Sequence, residues 1–170
     1  DPTFDIEGVD AAHKITILAS IAFGVPINFE VVHVEGISKL NQKDIGYAEE
    51  LGYRIKLLGI AKSDKSGVEI RVHPTLVPEK RLVANVNGAM NAVLVQGNMV
   101  GPTLYYGAGA GSEPTASAVV ADIIDIARQT KLSNKTLIPT LGFTPDRILK
   151  QRILSIEDIS SEFYLRFTME

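Results

Sequence analysis

Asp10 and Lys14, in the stretch DAAHK, are an acid and a base four residues apart. On a helix such side chains meet, and an acid ahead of a base is the favoured order. Two chemistries are open to the pair. One is a solvated surface ion pair worth at most a few tenths of a kcal/mol. The other is a cleft-edge pair, in which a lysine kept cationic by an aspartate donates a proton. Spacing alone supports the first, because exposed pairs are common. The mostly apolar surroundings, VDAAHKITIL, point to the second. Asp5 and Glu7 add acids just upstream. Asp5, Asp10 and Lys14 can converge on a zwitterionic ligand, the acids taking an ammonium group and the lysine an oxygen atom. The plainer role for Asp5 is to cap the helix that follows.

A second candidate is GAGAG, Gly107 to Gly111, after an expected strand and before an expected helix. Glycines there let backbone N–H groups approach a ligand closely. The run partly mimics a dinucleotide fingerprint, but Ser112 stands where G-x-G-x-x-G needs its last glycine. No acidic residue ends a following strand about 20 residues on, as a ribose-binding acid would. The stretch therefore reads either as a tight turn touching a ligand bound mainly elsewhere, or as a packing turn. His13, His33 and His73 lack metal-ligand spacing, and His13 points about 100° from Lys14 around a helix. No metal site is expected. Asn85, Asn87, Asn91 and Asn98 read as strand-end and turn residues.

The elements that must position these residues follow from periodicity. Ala11, Ile15, Leu18, Ala19 and Ala22 repeat with helical spacing. Asp5 or Gly8 precedes that helix, and Gly24 and Pro26 stop it. FEVVHV (29–34) reads as a buried strand, and NQKDIGYAEELG as a short helix ended at Gly52. YRIKLLGIAK and VEIRVHPTLV flank the turn SDKSG as a hairpin. Val68, Ile70 and Val72 share one face of its second strand, while alternation in the first breaks near Gly59. RLVANV, AVLVQG and TLYYG supply further strands. PTASAVVADIIDIARQ is a second helix, with Pro114 in its first turn and Arg128 near its C-terminus. Val119, Ile123 and Ile126 mark its expected core face. From Leu132 the pattern weakens into a connection, and FYLRFTME (163–170) alternates as a strand. The order implies an α+β fold, with helices on one face of a mixed, mostly antiparallel sheet.

Composition bounds the rest. The 170 residues suit one domain, and 45% hydrophobic residues are enough for a sizeable core. The absence of cysteine excludes disulfides, thiolate metal sites and a cysteine nucleophile, and fits a reducing, cytoplasmic setting. A net charge of −3 offers no electrostatic footprint for nucleic acid. No apolar run approaches the roughly 18 residues of a membrane helix, and no signal peptide opens the chain. The start at Asp1, with no initiator methionine, reads as an internal cut.

Two of these motifs are family-like. DPTFDIEGVDAAHKITILA resembles the substrate-binding signature of homoserine dehydrogenases. GAGAGSEPTASAVVADI is similar to the glycine-rich segment near that family's cofactor. The resemblance covers nearly the whole chain. It implies NAD(P)-dependent interconversion of L-aspartate 4-semialdehyde and L-homoserine, on the route to threonine, methionine and isoleucine. It implies Lys14 as proton donor to the aldehyde oxygen, Asp10 and Asp5 as substrate-binding acids, and Gly111 as a glycine whose backbone lies by the dinucleotide. It also implies a homodimer, and NAD(P) held mainly by an N-terminal Rossmann domain that this sequence lacks. A further substrate-binding glutamate lies upstream of Asp1 in the family. Residues 1–150 would be the catalytic and dimerisation domain. Residues 151–170 would be a linker and the first strand of a truncated ACT-like regulatory domain, with 163–170 disordered or paired opportunistically. The alternative is a non-catalytic dimerisation or amino-acid-binding module of the same fold.

Overall fold

A computed structural model of the chain describes residues 1–131, 139, 141–148 and 151–167. It divides into two compact units. The first holds residues 1–41, 57–75 and 139–170, and the second holds 42–56 and 76–138.

The first unit is built on α2 (Val9–Phe23), preceded by the single turn α1 (Thr3–Ile6). Glycines bound α2 as expected. Gly8 and Gly24 are both left-handed, with φ of 79° and 66°. Gly24 donates its N–H to the Ser20 carbonyl, closing the C-terminus. The buried face of α2 matches the expected one only in part. Ala19 is buried and Ala11 and Ile15 pack against the core, but Leu18 and Ala22 are exposed and the fully buried positions are Ala12, Thr16, Ala19 and Ser20. The seam is set by volume. The strand β3 (Val68–Pro78) presents Val68, Ile70 and Val72, each almost fully buried, so the helix contributes small residues. The Thr16 hydroxyl meets its own need within the helix, donating to the Ala12 carbonyl at 2.6 Å.

β3 lies between β2 (Tyr53–Ser63) and β1 (His33–Val34), and pairs in parallel with β1 through His33–Arg71 and Val34–Val72. The β2–β3 hairpin forms as expected, with Asp64 accepting from the Ser66 N–H in its turn. These bonds hold the Asp64 carboxyl below the usual carboxylate range, the Ser66 hydroxyl contributing most. Gly59 breaks the alternation of β2 because α2 lies against it. A Cβ there would stand 3.0 Å from the Ile15 Cβ. The strand expected over 29–34 shrinks to two residues. Asn28 accepts from the Glu30 N–H, and Val32 donates to the Phe29 carbonyl, so the first half is a turn. Beyond β1, the same edge of β3 is filled by the C-terminal segment. Ile153 pairs with Val68 in parallel, Leu154 donates to the Val68 carbonyl, and Leu154 is buried.

The second unit holds α3 (Gln42–Glu50), the hairpin of β4 (Met90–Gly97) and β5 (Gly101–Ala108), and α4 (Ser112–Lys131). β4 and β5 pair antiparallel from Met90–Ala108 to Gly97–Gly101. RLVANV is not a strand but a 3-10 turn over Leu82–Asn85. The Asn85 amide donates to the carbonyls of Glu79 and Arg81 and holds the chain in that turn. Lys56 donates to the Val86 carbonyl at 2.6 Å and to Asn87 at 3.0 Å. Val119, Ile123 and Ile126 do not face a core, for α4 has no buried residue in this chain.

The α+β class holds, with the strands divided between a three-stranded mixed sheet and a two-stranded antiparallel one. Among the described residues no ladder includes 163–167, so the strand read there is absent over those five positions. Residues 168–170, and most of the connection expected over 132–150, lie outside the described residues.

Gly8, at the start of α2, leaves little room for change. It needs a positive φ, and a Cβ there would stand 2.9 Å from Val72 Cγ1 and 3.3 Å from Val34 Cγ1. Gly8→Ala should therefore cost at least about 2 kcal/mol, from left-handed strain plus overpacking. Urea denaturation measures this, and an unchanged midpoint would refute it.

Candidate active site

Lys14 Nζ donates to Asp10 Oδ2 at 2.6 Å along the surface of α2. Both residues lie about 200° around the helix from Ala12, on the side opposite the buried seam. Hence the pair is accessible, with the Lys14 side chain 64% exposed and that of Asp10 35%. An exposed i,i+4 pair adds only about 0.3–0.5 kcal/mol. So small a contribution does little to hold the fold, whereas the ammonium is oriented and open to a ligand. Ile17 and Ile21, exposed on the same side, give the pair an apolar flank.

Asp5 sits on α1, exposed, and does not cap α2 through its side chain. Only its carbonyl is used there, accepting from the Gly8 N–H at 3.1 Å. Its carboxylate is thus not consumed by the capping role that local sequence offered it. α1 meets α2 through an aromatic contact. Phe4 and His13 lie edge to face with centroids 5.5 Å apart, and His13 lies 4.4 Å from Phe29. Sequence spacing did not single out this trio. His13 is three residues beyond Asp10, but Phe4 and Phe29 reach it from separate segments, and no local pattern signals that.

Gly111 belongs to the second unit, at the junction of β5 and α4, with φ of 128°. Its carbonyl accepts from the Thr115 N–H in the first turn of α4. The glycines of this turn have distinct uses. A Cβ at Gly109 would stand 2.6 Å from Asn91 Cγ, so the Asn91 amide lies close against the chain there. Gly107 has open space where a Cβ would be. The first N–H groups of the 20-residue α4 have no partner within the helix, and the positive end of its dipole lies at this turn. A turn without side chains at 107, 109 and 111, at a helix N-terminus, fits the close approach of an anionic cofactor's backbone. Among the described residues there is no cluster of three or more metal-ligating side chains, and no helix long and apolar enough to cross a membrane.

Comparison with known proteins places this geometry. The family model described as homoserine dehydrogenase matches residues 1–124. A homoserine dehydrogenase of Neisseria gonorrhoeae is 61% identical over 98% of this chain and 38% of its own length. The crystal structure of a homoserine dehydrogenase from Thiobacillus denitrificans superposes with a TM-score of 0.89 and 64% identity, over 94% of this chain and 37% of that one. A hyperthermophilic archaeal homoserine dehydrogenase, solved in complex with NADPH, matches 76% of this chain and 35% of its own at a TM-score of 0.59 and 29% identity. The chain thus spans less than two-fifths of the length of these relatives. Over that span, the Asp10–Lys14 helix and the glycine turn before α4 both fall within the matched residues, and the chain belongs to the homoserine dehydrogenase family.

Proposed function

We propose that this chain is the substrate-binding and proton-transferring part of an NAD(P)-dependent homoserine dehydrogenase, acting in the cytoplasm on L-aspartate 4-semialdehyde and L-homoserine. The observation that carries the reading is the 2.6 Å Lys14–Asp10 pair, exposed on α2 with the acid of α1 upstream. Reduction of an aldehyde builds negative charge on its oxygen. A positioned ammonium stabilises that charge and then supplies the proton, and Lys14 Nζ fills this role. In the reverse direction the amine form of Lys14 takes the hydroxyl proton. Asp10 uses Oδ2 to orient Lys14, leaving its second oxygen for the substrate ammonium. Asp5 is the second acid on that group.

NAD(P)H supplies the hydride when bound. The backbone around Gly111 would hold part of it, and most of its binding surface belongs to a nucleotide-binding domain outside this sequence. Residues 1–150 are read as the catalytic and dimerisation domain, and 151–170 as the way into a further domain. The dimer reading is supported by the β4–β5 hairpin, which exposes Val93, Leu94, Val95, Tyr105 and Tyr106. A lone two-stranded hairpin is marginal, and apolar area of this kind calls for cover, here by a second copy.

Three outcomes are expected. In a full-length protein carrying this sequence, Lys14→Ala should lower kcat about 10²- to 10⁴-fold with the circular dichroism spectrum unchanged. Near-normal turnover would sink the assignment, and a full-length parent without turnover would favour the non-catalytic module. Isothermal titration of the 170-residue chain with NADPH should give no saturable binding at micromolar concentration; a micromolar Kd would show that the chain holds the cofactor unaided. Sedimentation equilibrium should find a dimer that Leu94→Asp converts to monomer. A parent that is already monomeric, in the full-length protein, would rule the dimer out.

A further inference from the structure

α1 is a single turn with no buried side chain, and four residues cannot hold a helix by themselves. Something outside α1 must fix it, since it carries Asp5. Its C-terminal end is tied by the backbone. The Ile6 carbonyl accepts from the Ile37 N–H at 2.8 Å, and Gly8 turns the chain into α2. A tie at one end leaves the rotation of the turn unset. A contact nearer its start is made by Phe4, the neighbour of Asp5. Its ring lies edge to face on His13, with centroids 5.5 Å apart and planes at 74°. His13 is backed by Phe29 at 4.4 Å, from the loop after α2. Phe4 and Phe29 are half exposed, 51% and 40%, so the stack lies at the surface and is not a piece of the core.

His13 grows from the helix that bears the ion pair, next to Lys14 and three residues past Asp10. We propose that His13 is a positioning residue. As the middle ring of the Phe4–His13–Phe29 stack, it locks α1 onto α2, and so sets Asp5 beside the Asp10–Lys14 pair for the substrate ammonium. The planar ring matters, not a proton on it. A flat group half buried between two phenyl rings satisfies both contacts, which an aliphatic chain of similar size does not. This inference rests on the reading of Asp5 as a substrate-binding acid.

Steady-state kinetics of the full-length protein test it. His13→Ala should raise KM for homoserine about three- to tenfold while kcat changes less than about twofold. His13→Phe should restore KM, and Phe4→Ala, at an exposed site, should reproduce the loss even if His13→Ala fails to fold. In an Asp5→Asn background, His13→Ala should add nothing, because both changes remove the same contact. An unchanged KM in Phe4→Ala, absence of rescue by His13→Phe, or losses that multiply in the double variant would each overturn the proposal. If Asp5→Asn raises KM while the stack variants are silent, only this inference falls. If Asp5→Asn leaves KM unchanged, the inference and the reading of Asp5 fall together.

Discussion

The close seating of α2 on β3 is the constraint from which the first unit is built. Val68, Ile70 and Val72 fill one face of the strand, and the residues of the helix that are fully buried against the core are small: Ala12, Thr16, Ala19 and Ser20, with Ile15 and Phe23 packed at the margin. Gly8 starts the helix directly over Val72 and Val34, where neither a Cβ nor a negative φ fits. The tight seam fixes the rotation of α2 about its own axis. That rotation turns Asp10, Lys14, Ile17 and Ile21 away from the sheet, about 115–175° from the middle of the seam. The accessibility of the ion pair is thus a consequence of packing on the far side of the helix.

The two units differ in how they are stabilised. The first buries a contiguous apolar cluster between α2 and β3, closed at its edge by β1 and by Ile153 and Leu154. In the second, the buried apolar residues are Ala48, Val77 and Ala84, while α4 and the β4–β5 hairpin expose rows of Val, Ile, Leu and Tyr. At about 25 cal/mol per Å² of apolar area, such rows are a large unused resource. The 20-residue helix α4 keeps an apolar stripe uncovered, and the β4–β5 hairpin exposes Val93, Leu94, Val95, Tyr105 and Tyr106.

The two candidate motifs lie in different units. In the first, the Lys14 ammonium is oriented by Asp10 yet exposed, on a helix well packed along its other side. The glycine turn lies in the second unit, where β5 becomes α4, with the Asn91 side chain close against Gly109.

Local signals were legible in the residues: the glycine-bounded helix at 9–23, the β2–β3 hairpin, the strands β4 and β5, the α3 stop at Gly52, the α4 start after Gly111, and the family-like motifs around Asp10 and Gly111. These depend on φ preferences and on spacing within a few residues, which any chain carries in its own order. What tertiary structure decided is non-local. It moved the buried face of α2 to its small residues because the facing strand was already bulky. It brought Phe4 and Phe29 to opposite sides of His13, and drew Ile153 to Val68. Periodicity records how apolar a residue is but not how much room its partner leaves, and volume complementarity between distant segments settled each of the packing choices.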